Sequence, residues 1–483
     1  MSATTDTFDK PIGTTAPLSL KSRLLMLTEK LVQPVDGASL AGFRILFGLI
    51  MVYETYRYFA FDRIARYYVE PQFYFTYELF PWVRPWPEPW IYVHFIILGV
   101  ASLGLMLGLF YRLSAYIFLL TYSYIFLMDK AQHNNHYYLI ILLGFLLLFV
   151  DGQRVASLDN WRRRGSRWPD GHLVPFWNVF ILRAQIFIVY FYAGIAKLNG
   201  DWLALEPMRS WLHNRADYPL VGQFFTTEVG AIFFAYGGLI FDLSIGFLLL
   251  WRRTRLLGFV GLLFFHLMNK WLFSIGVFPY MMIATTILFV DPSWPRRFLR
   301  LPVPQISSNS WLERTKPYRP AVAAFVGLYL LIQVLVPFRH WLYPGEVSWN
   351  EEGHRFSWHM KLRSKQAGLT FYVTDPATNE VWQIDASQVV SDRQYGKMAT
   401  RPDMILQFAH YMRDQFQATG EIENPIIQVE AWASLNGRPF QRFIDHTVDL
   451  AQQPAPRIFG HYDWVLPLTH DIHGQAISQT VSE

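Results

Sequence analysis

The sequence predicts an α-helical integral membrane domain with about nine transmembrane helices, followed by a soluble α+β outer domain with a β-rich core. Hydrophobic residues make up 52% of the 483 residues and charged residues only 16%, too little charge to cover a soluble protein of this length. Apolar runs long enough to span a bilayer, or nearly so, recur as far as residue 338. From Arg339 onward, polar residues and strand-like alternation return.

The chain therefore divides into three predicted parts. Residues 1–38 form a cytoplasmic tail and an amphipathic segment, residues 39–338 the membrane domain, and residues 339–483 the outer domain. Residues 1–17 lack the apolar core of a signal peptide, so we expect a disordered tail. Residues 20–31 mix leucines with basic side chains, which is typical of a helix lying on the membrane surface.

Nine segments are predicted to be transmembrane helices, of which the fourth and eighth are short. They are residues 39–60, 90–110, 112–128, 136–150, 175–197, 228–250, 255–271, 273–290 and 320–338. The loop at 61–89 is rich in tryptophan and proline, and we expect it to pack at the membrane interface.

Basic residues set the predicted orientation. They cluster at one alternating set of helix ends, which the positive-inside rule assigns to the cytoplasm. The amino terminus is then inside, the carboxyl terminus outside, and Lys197 and His136 both lie at outward-facing helix ends. The net charge of +5 fits these basic loops at an anionic membrane face better than it fits a nucleic-acid platform.

The outer domain shows two predicted strands and a predicted helix. Residues 370–374 and 426–432 alternate between apolar and polar side chains, as half-buried strands do. Residues 403–416 place Ile405, Phe408 and Met412 on one helical face. The mixture indicates an α+β domain on the same side of the membrane as Lys197.

Lys197 ends the apolar, aromatic run at 187–198 and has two interpretations. In the first, its stem lies in lipid and its ammonium reaches the headgroups, as snorkelling lysines do. In the second, it is a catalytic amine, partly desolvated so that its neutral, basic form is populated. This segment alone leaves both open.

Other polar groups in the apolar segments are candidates for function or for structural pairing. Residues 133–136 begin the fourth helix, either as a helix cap or as donors for a ligand oxygen. His266 and Asn269 share a helix face, either as a pair bonded to a neighbouring helix or as ligand contacts. Arg183 and Asp242 are predicted first as members of structural ion pairs.

Several kinds of chemistry lack their residues in this sequence. Cysteine is absent, so disulfides, thiol nucleophiles and thiolate metal sites are excluded. His133 and His136 have no cluster of carboxylates beside them, so no metal site is predicted. Glycine-rich phosphate loops and a Ser/His/Asp arrangement are missing as well. Chemistry inside a membrane without these groups suggests a lipid-soluble reagent.

Eight motifs occur in an order that resembles the vitamin K-dependent γ-glutamyl carboxylases, the family that shares the HTTM membrane domain. They are LAGFRILFGL (40–49), MLGLFYR (106–112), FLMDK (126–130), NNH (134–136), QIFIVYF (185–191), AGIAKL (193–198), LFSIG (272–276) and FSWHM (356–360). The resemblance extends over most of the chain.

The resemblance implies a reaction in two coupled halves. Reduced vitamin K (phylloquinol or menaquinol) reacts with O2 and becomes an epoxide, and the strong base formed on the way removes a γ-proton from glutamate, which then takes up CO2. Lys197 would deprotonate the quinol, and His136 with its Asn neighbour would polarise the quinone. The predicted contacts of the quinone are Asn134, Asn135, Tyr190, His266, Asn269 and Ser274, and those of the substrate are Phe356, Trp358 and His359.

The implied partners are a glutamate-containing protein or peptide, the lipid bilayer and a quinone reductase for recycling, with no metal and no nucleic acid. The sequence departs from the animal members of the family. Ala196 precedes a single Lys197 where those members have two lysines, Phe356 replaces a tyrosine, and their disulfide has no cysteines here. We therefore expect a bacterial, inner-membrane protein. Two alternatives stay open, a quinol epoxidase without carboxylation and a non-catalytic quinone-binding protein.

Overall fold

A computed structural model describes residues 19–162, 172–273, 275–304 and 308–477. The predicted disordered tail and Ser274 therefore lie outside the described residues. The predicted surface helix is present as α1 (Leu20–Leu31). A helix also occupies each of the nine predicted membrane segments: α2 (Ala38–Ala60), α3 (Trp90–Leu107), α4 (Tyr111–Met128), α5 (Asn135–Phe149), α6 (Trp177–Ala196), α7 (Glu228–Leu250), α8 (Arg255–Phe273), α9 (Phe278–Thr285) and α10 (Arg319–Leu335).

Six helices within the described ranges are long and apolar enough to cross a membrane, which makes the chain a multipass membrane protein. The helices at Asn135–Phe149 and Phe278–Leu288 are apolar but shorter, as the sequence predicts for the fourth and eighth segments. Helix α3 stops at Leu107, earlier than predicted, because Gly108 adopts the left-handed conformation at φ +61° that ends many helices.

The starts of α2 and α6 meet at one end of the bundle. The short strands β1 (Pro34–Asp36) and β2 (Leu173–Pro175) pair antiparallel there, just before the two helices begin. Asp36 also forms a buried ion pair with Arg296, which follows α9, with 2.8 Å between Nε and Oδ2. The β1–β2 pair and the Asp36–Arg296 ion pair together hold the predicted cytoplasmic ends of these helices side by side.

Arg183 corrects one prediction. No ion pair of Arg183 occurs among the described residues; its guanidinium donates to the backbone carbonyls of Leu288 and Val290, the latter at 2.9 Å. The chain changes from α-helix to a 3₁₀ turn at Thr286–Leu288, and carbonyls at a helix end lack partners within the helix. Arg183 therefore caps a neighbouring helix.

The outer domain contains the predicted strands and helix. Strands β3 (Lys365–Thr374), β4 (Val381–Ile384), β5 (Ile426–Leu435) and β6 (Gln441–Arg442) form an antiparallel sheet in the order β4-β3-β5-β6. Helices α11 (Asp392–Met398) and α12 (Pro402–Thr419) precede β5, and α12 buries Ile405, Phe408 and Met412 in the core shared with the sheet.

Two buried ionic groups join the outer domain to the loops at one end of the helical bundle. Lys130, which follows α4, donates from Nζ to Asp403 of α12 at 2.8 Å, and Arg355 binds the same carboxylate at 2.7 Å. Arg438 of the outer domain holds Asp201, which follows α6, through two hydrogen bonds of 2.7 Å. The region between these two contacts contains the candidate site.

Candidate active site between the membrane and outer domains

A strained segment, residues 356–361, here called the strap, lies between the last membrane helix and the first strand of the outer-domain sheet. Phe356, Trp358 and Lys361 all have positive φ, between 51° and 65°, a conformation that non-glycine residues adopt at a cost and that clusters at functional sites. The ring centroids of Phe356 and Trp358 lie 4.9 and 5.1 Å from that of Tyr138 on α5. These two aromatic residues, predicted as substrate contacts, line neither cavity described below, and they anchor the strap.

Asn135 fixes the next turn of the strap. Its Nδ2 donates to the carbonyl oxygen of His359 at 2.9 Å. The neighbouring Asn134 is the N-cap residue of α5, but its side chain donates to Gln132 at 3.2 Å and makes no capping bond. The result is that Met360 and Lys361 are held against the membrane helices.

An apolar cavity of about 270 Å³ lies between α6, α7, α8 and the strap. Aromatic residues are the largest group on its wall, and three glycines, Gly237, Gly238 and Gly261, leave room between the helices. Among the described residues, the polar groups on the wall are few: Tyr190, Lys197, Asp242, His266, Asn269 and Lys361. A small set of polar groups in an otherwise apolar cavity is typical of a site for a largely apolar ligand.

Lys197 ends α6 with its side chain turned inward. Its Nζ donates to Oδ2 of Asp242 at 2.6 Å and to the carbonyl of Ala193 at 3.1 Å, and it lies 5.2 Å from the ring centroid of Trp202. Only 6% of the residue is exposed, so the snorkelling interpretation is wrong. The predicted ion-pair role of Asp242 is confirmed, and its partner is Lys197.

A second polar pair lies on the same cavity wall. The hydroxyl of Tyr190 on α6 and Nε2 of His266 on α8 are 2.6 Å apart, and both residues are buried. Asn269, one helical turn after His266, lines the same cavity. Three of the predicted quinone contacts are therefore brought together with Lys197.

A larger cavity of about 650 Å³ lies between the strap, α5 and the outer domain, and it is strongly cationic. It is lined by His133, Asn134, Asn135, His136, His354 and His359, by two carboxylates, Glu351 and Asp392, and by six cations, Lys361, Arg363, Lys365, Arg393, Lys397 and Arg401. Across the part of the chain that the structure describes, Arg363 is the one cation of the six in an ion pair, which it forms with Glu351.

Crowding of positive charge changes the acidity of these groups. The nearby Arg401 guanidinium, together with burial, lowers the pKa of Lys397 to about 7. Burial lowers the pKa of Arg401 to about 10 and holds that of Lys365 well below its usual range. Lys365 makes its hydrogen bonds with backbone carbonyls, those of Trp349 and, at 2.9 Å, Thr400. Arg401, and Lys397 below about pH 7, therefore carry positive charge that no ion pair among the described residues takes up, and this charge is available to an anion.

His359 presents an unused imidazole nitrogen to this cavity. The residue is 8% exposed, and its Nε2 is buried without a hydrogen-bond partner among the described residues. Burial lowers the pKa of His359 to about 3, so the ring is neutral and can donate or accept one hydrogen bond. His136 lines the same cavity with its ring centroid 5.8 Å from that of Phe278.

The two cavities share a wall. Both are lined by five residues: Phe273, Ile275, Phe278, Met360 and Lys361. Lys197 faces the apolar side and His136 the cationic side, so the two residues predicted to be catalytic lie on different cavities. The sequence reasoning missed the strap cation Lys361 and the basic residues that follow it, although their spacing of two residues (361, 363 and 365) was a usable signal.

Comparison with known protein families gives two matches. The model of the HTTM domain matches residues 32–294, which include most of the apolar cavity. The model of the lumenal domain of the vitamin K-dependent gamma-carboxylases matches residues 318–471, which include the strap and most of the cationic cavity. No solved structure matches the chain. Over the described ranges, no group of three or more His, Asp or Glu side chains could hold a metal ion.

Proposed function

Because the chain belongs to the vitamin K-dependent gamma-glutamyl carboxylase family, we propose that it carboxylates glutamate side chains of a protein or peptide, with a reduced quinone as co-substrate. The observation that carries the proposal is the pair of adjoining cavities. One is apolar with an amine on its wall, and the other is cationic with neutral imidazoles. A lipid-soluble ring and an anionic side chain could therefore meet at one wall.

The apolar cavity fits a quinone ring in its chemistry. Its aromatic and glycine surfaces would stack on a flat ring, while Lys197 and the Tyr190–His266 pair offer polar contacts for ring oxygens. Oxygenation of the bound quinol would supply the strong base that a carbon-bound proton requires, which no side chain can provide. Lys197 would accept the proton of the quinol hydroxyl, a general-base step typically worth about 10²–10⁴-fold in rate.

The cationic cavity would hold the glutamate carboxylate and the product, which carries one carboxylate more. Arg401 and, below about pH 7, Lys397 supply positive charge, and neither forms an ion pair among the described residues. His136 and His359 would orient the acceptor side chain with neutral hydrogen bonds, beside Asn134 and Asn135. The shared wall would keep water from the reacting atoms, where it would consume the base.

The orientation and recycling follow the same proposal. With basic loops inside, both cavities and the outer domain would face the periplasm of a bacterium, and CO2, O2 and the peptide would arrive from that side. A reporter that requires the periplasm should be active when fused after residue 477 and silent when fused at Arg253. The opposite pattern would contradict the orientation. A quinone reductase would return the spent quinone.

The activity test uses purified protein in lipid with labelled bicarbonate, a reduced quinone and a glutamate peptide. Label in the peptide with quinone epoxide supports the proposal, epoxide alone indicates the epoxidase, and neither product leaves a binding protein. Lys197→Arg should abolish both products, because arginine keeps the charge but does not give up its proton. Lys270→Arg is the matched control, because Lys270 lies in the last turn of α8 as Lys197 lies at the end of α6, but it lines neither cavity. An active Lys197→Arg enzyme would contradict the role of Lys197.

A further inference from the structure

The ion pair of Lys197 raises a chemical difficulty for a base. A lysine that donates to a carboxylate at 2.6 Å is an ammonium, which has no lone pair and accepts no proton. Two of its three N–H groups are committed, to Asp242 and to the carbonyl of Ala193. Before Lys197 can act on a quinol, its own proton must leave, and among the described residues of the cavity wall Asp242 is the one acidic group close enough to take it.

We propose that Asp242 is the proton-accepting partner of Lys197, so that the two residues act as one base. This inference rests on the proposed function. The N–H bond between Nζ and the shared proton breaks, and an O–H bond forms at Oδ2 of Asp242. Rotation about the Cε–Nζ bond turns the freed lone pair toward the cavity. The quinol O–H bond then breaks, a new N–H bond forms at Nζ, and the electron pair stays on the quinol oxygen. The products are a carboxylic acid and an ammonium beside that oxygen.

The surroundings of Asp242 favour this assignment. The residue is 5% exposed, and Lys197 is its one side-chain partner among the described residues. Asp403, by contrast, is bound by Lys130 and by both terminal nitrogens of Arg355, which hold its charge in place. Two charges buried in an apolar wall lose their hydration, and a proton shift that neutralises both relieves that loss.

Other titratable groups on the same cavity come from three elements. Tyr190 lies on α6 and His266 on α8, and they are bonded to each other at 2.6 Å. Lys361 of the strap lies over the rings of Trp211 and Phe273, at 5.6 and 5.0 Å from their centroids. None of the three contacts Asp242 through a hydrogen bond among the described residues, so Lys197 is the group that exchanges a proton with it.

The decisive measurement is the infrared difference spectrum on adding a reduced quinone without oxygen, where no turnover occurs. Wild type should gain the C=O band of a protonated carboxylic acid, and the oxidised quinone should not produce it. Asp242→Asn should lose the band. Asp36→Asn, which removes a buried carboxylate paired with Arg296 at the other end of the bundle, should keep it. If wild type binds the quinol without gaining the band, or if the band persists in Asp242→Asn, the inference about Asp242 is wrong and the proposed function is unaffected. If wild type does not bind the quinol, both the inference and the proposed function are wrong.

A second measurement separates proton transfer from structural support. Quinol oxygenation by Asp242→Asn should fall by about 10²–10⁴-fold near neutral pH, as for the loss of a general base. The loss should shrink as the pH approaches about 10, where a phenol ionises without help. A loss of equal size at every pH would mean that Asp242 only supports the fold, and the inference would fail.

Discussion

The substitution Asp403→Asn tests how the outer domain is fastened to the membrane helices. The carboxylate of Asp403 accepts hydrogen bonds from Lys130 at 2.8 Å and from Arg355 at 2.7 and 3.2 Å. The Lys130 side chain is fully buried, and that of Asp403 is 10% exposed. Asparagine has nearly the same shape but no charge, so the change removes the centre of the cluster and leaves the cations in place.

The expected cost follows from burial. Removing one member of a buried ion pair typically costs about 3–5 kcal/mol, because the remaining charge stays buried without its partner. Lys130 keeps Glu78 at 2.7 Å, whereas Arg355 has no second carboxylate among the described residues. We therefore expect Asp403→Asn to lower the free energy of unfolding of the outer domain by about 3–5 kcal/mol.

Urea unfolding of the purified protein in detergent, followed by tryptophan fluorescence, measures this loss. Asp414→Asn is the matched control, because it removes a carboxylate of the same helix that is 60% exposed and paired with Arg413. Exposed pairs contribute about 0–1 kcal/mol. If both variants lose the same amount, the cluster does not hold the domains together and the reasoning is wrong.

Acid provides an independent check on the same group. Burial by itself would raise the pKa of Asp403, but Arg355 and Lys130 outweigh it and hold that pKa below its usual range. The carboxylate therefore stabilises the fold above about pH 3.9, its unfolded value, and this contribution is lost as the pH falls further. Wild type should lose stability below about pH 4 more steeply than Asp403→Asn.

Three further predictions concern the two cavities. The affinity of wild type for a glutamate peptide should fall as the pH rises through the Lys397 pKa of about 7. The affinity of Lys397→Met should be weaker than that of wild type at about pH 6 and should change little up to about pH 8. The same pH dependence in both proteins would contradict the assignment. Tyr190→Phe leaves Nε2 of His266 unpaired and should cost about 1–3 kcal/mol in unfolding free energy. At Gly237 and at Gly327 an added Cβ meets no atom within 4 Å. Gly237→Leu changes the wall of the apolar cavity and should raise the quinone KM about tenfold or more, the equivalent of about 1.4 kcal/mol. Gly327→Leu, outside both cavities, should leave that KM unchanged.

Hydropathy was sufficient for the membrane part of the fold. Each predicted apolar segment contains a helix, because burying backbone polar groups in lipid leaves few other conformations. Ends were predicted less well, since local backbone geometry decides them. Helix α9 begins at Phe278 rather than at residue 273, after a break at the end of α8. Lys197 was identifiable as a candidate because it is a lone charge in an apolar run.

The composition of the site was harder to predict. Asp242 lies 45 residues after Lys197 on a different helix. The hydropathy pattern does not predict which helices pack side by side, so it does not predict this pair. The cationic cavity combines the strand residue Lys365 with Lys397 and Arg401, which are distant in sequence and line one cavity only in the folded outer domain. Phe356 and Trp358 were chosen for their place in a family motif; they pack on Tyr138 and line neither cavity, and their contact with the substrate stays a prediction.

The wall between the two cavities has a consequence for how this chain can be divided. Phe273, Ile275 and Phe278 come from the membrane part, whereas Met360 and Lys361 come from beyond the last membrane helix. A fragment that stops at Leu342 would lack Met360 and Lys361, and its apolar cavity would be open on the side that these residues line in the intact chain. Each cavity therefore needs residues from both parts of the chain, so neither part can be separated with a complete cavity of its own.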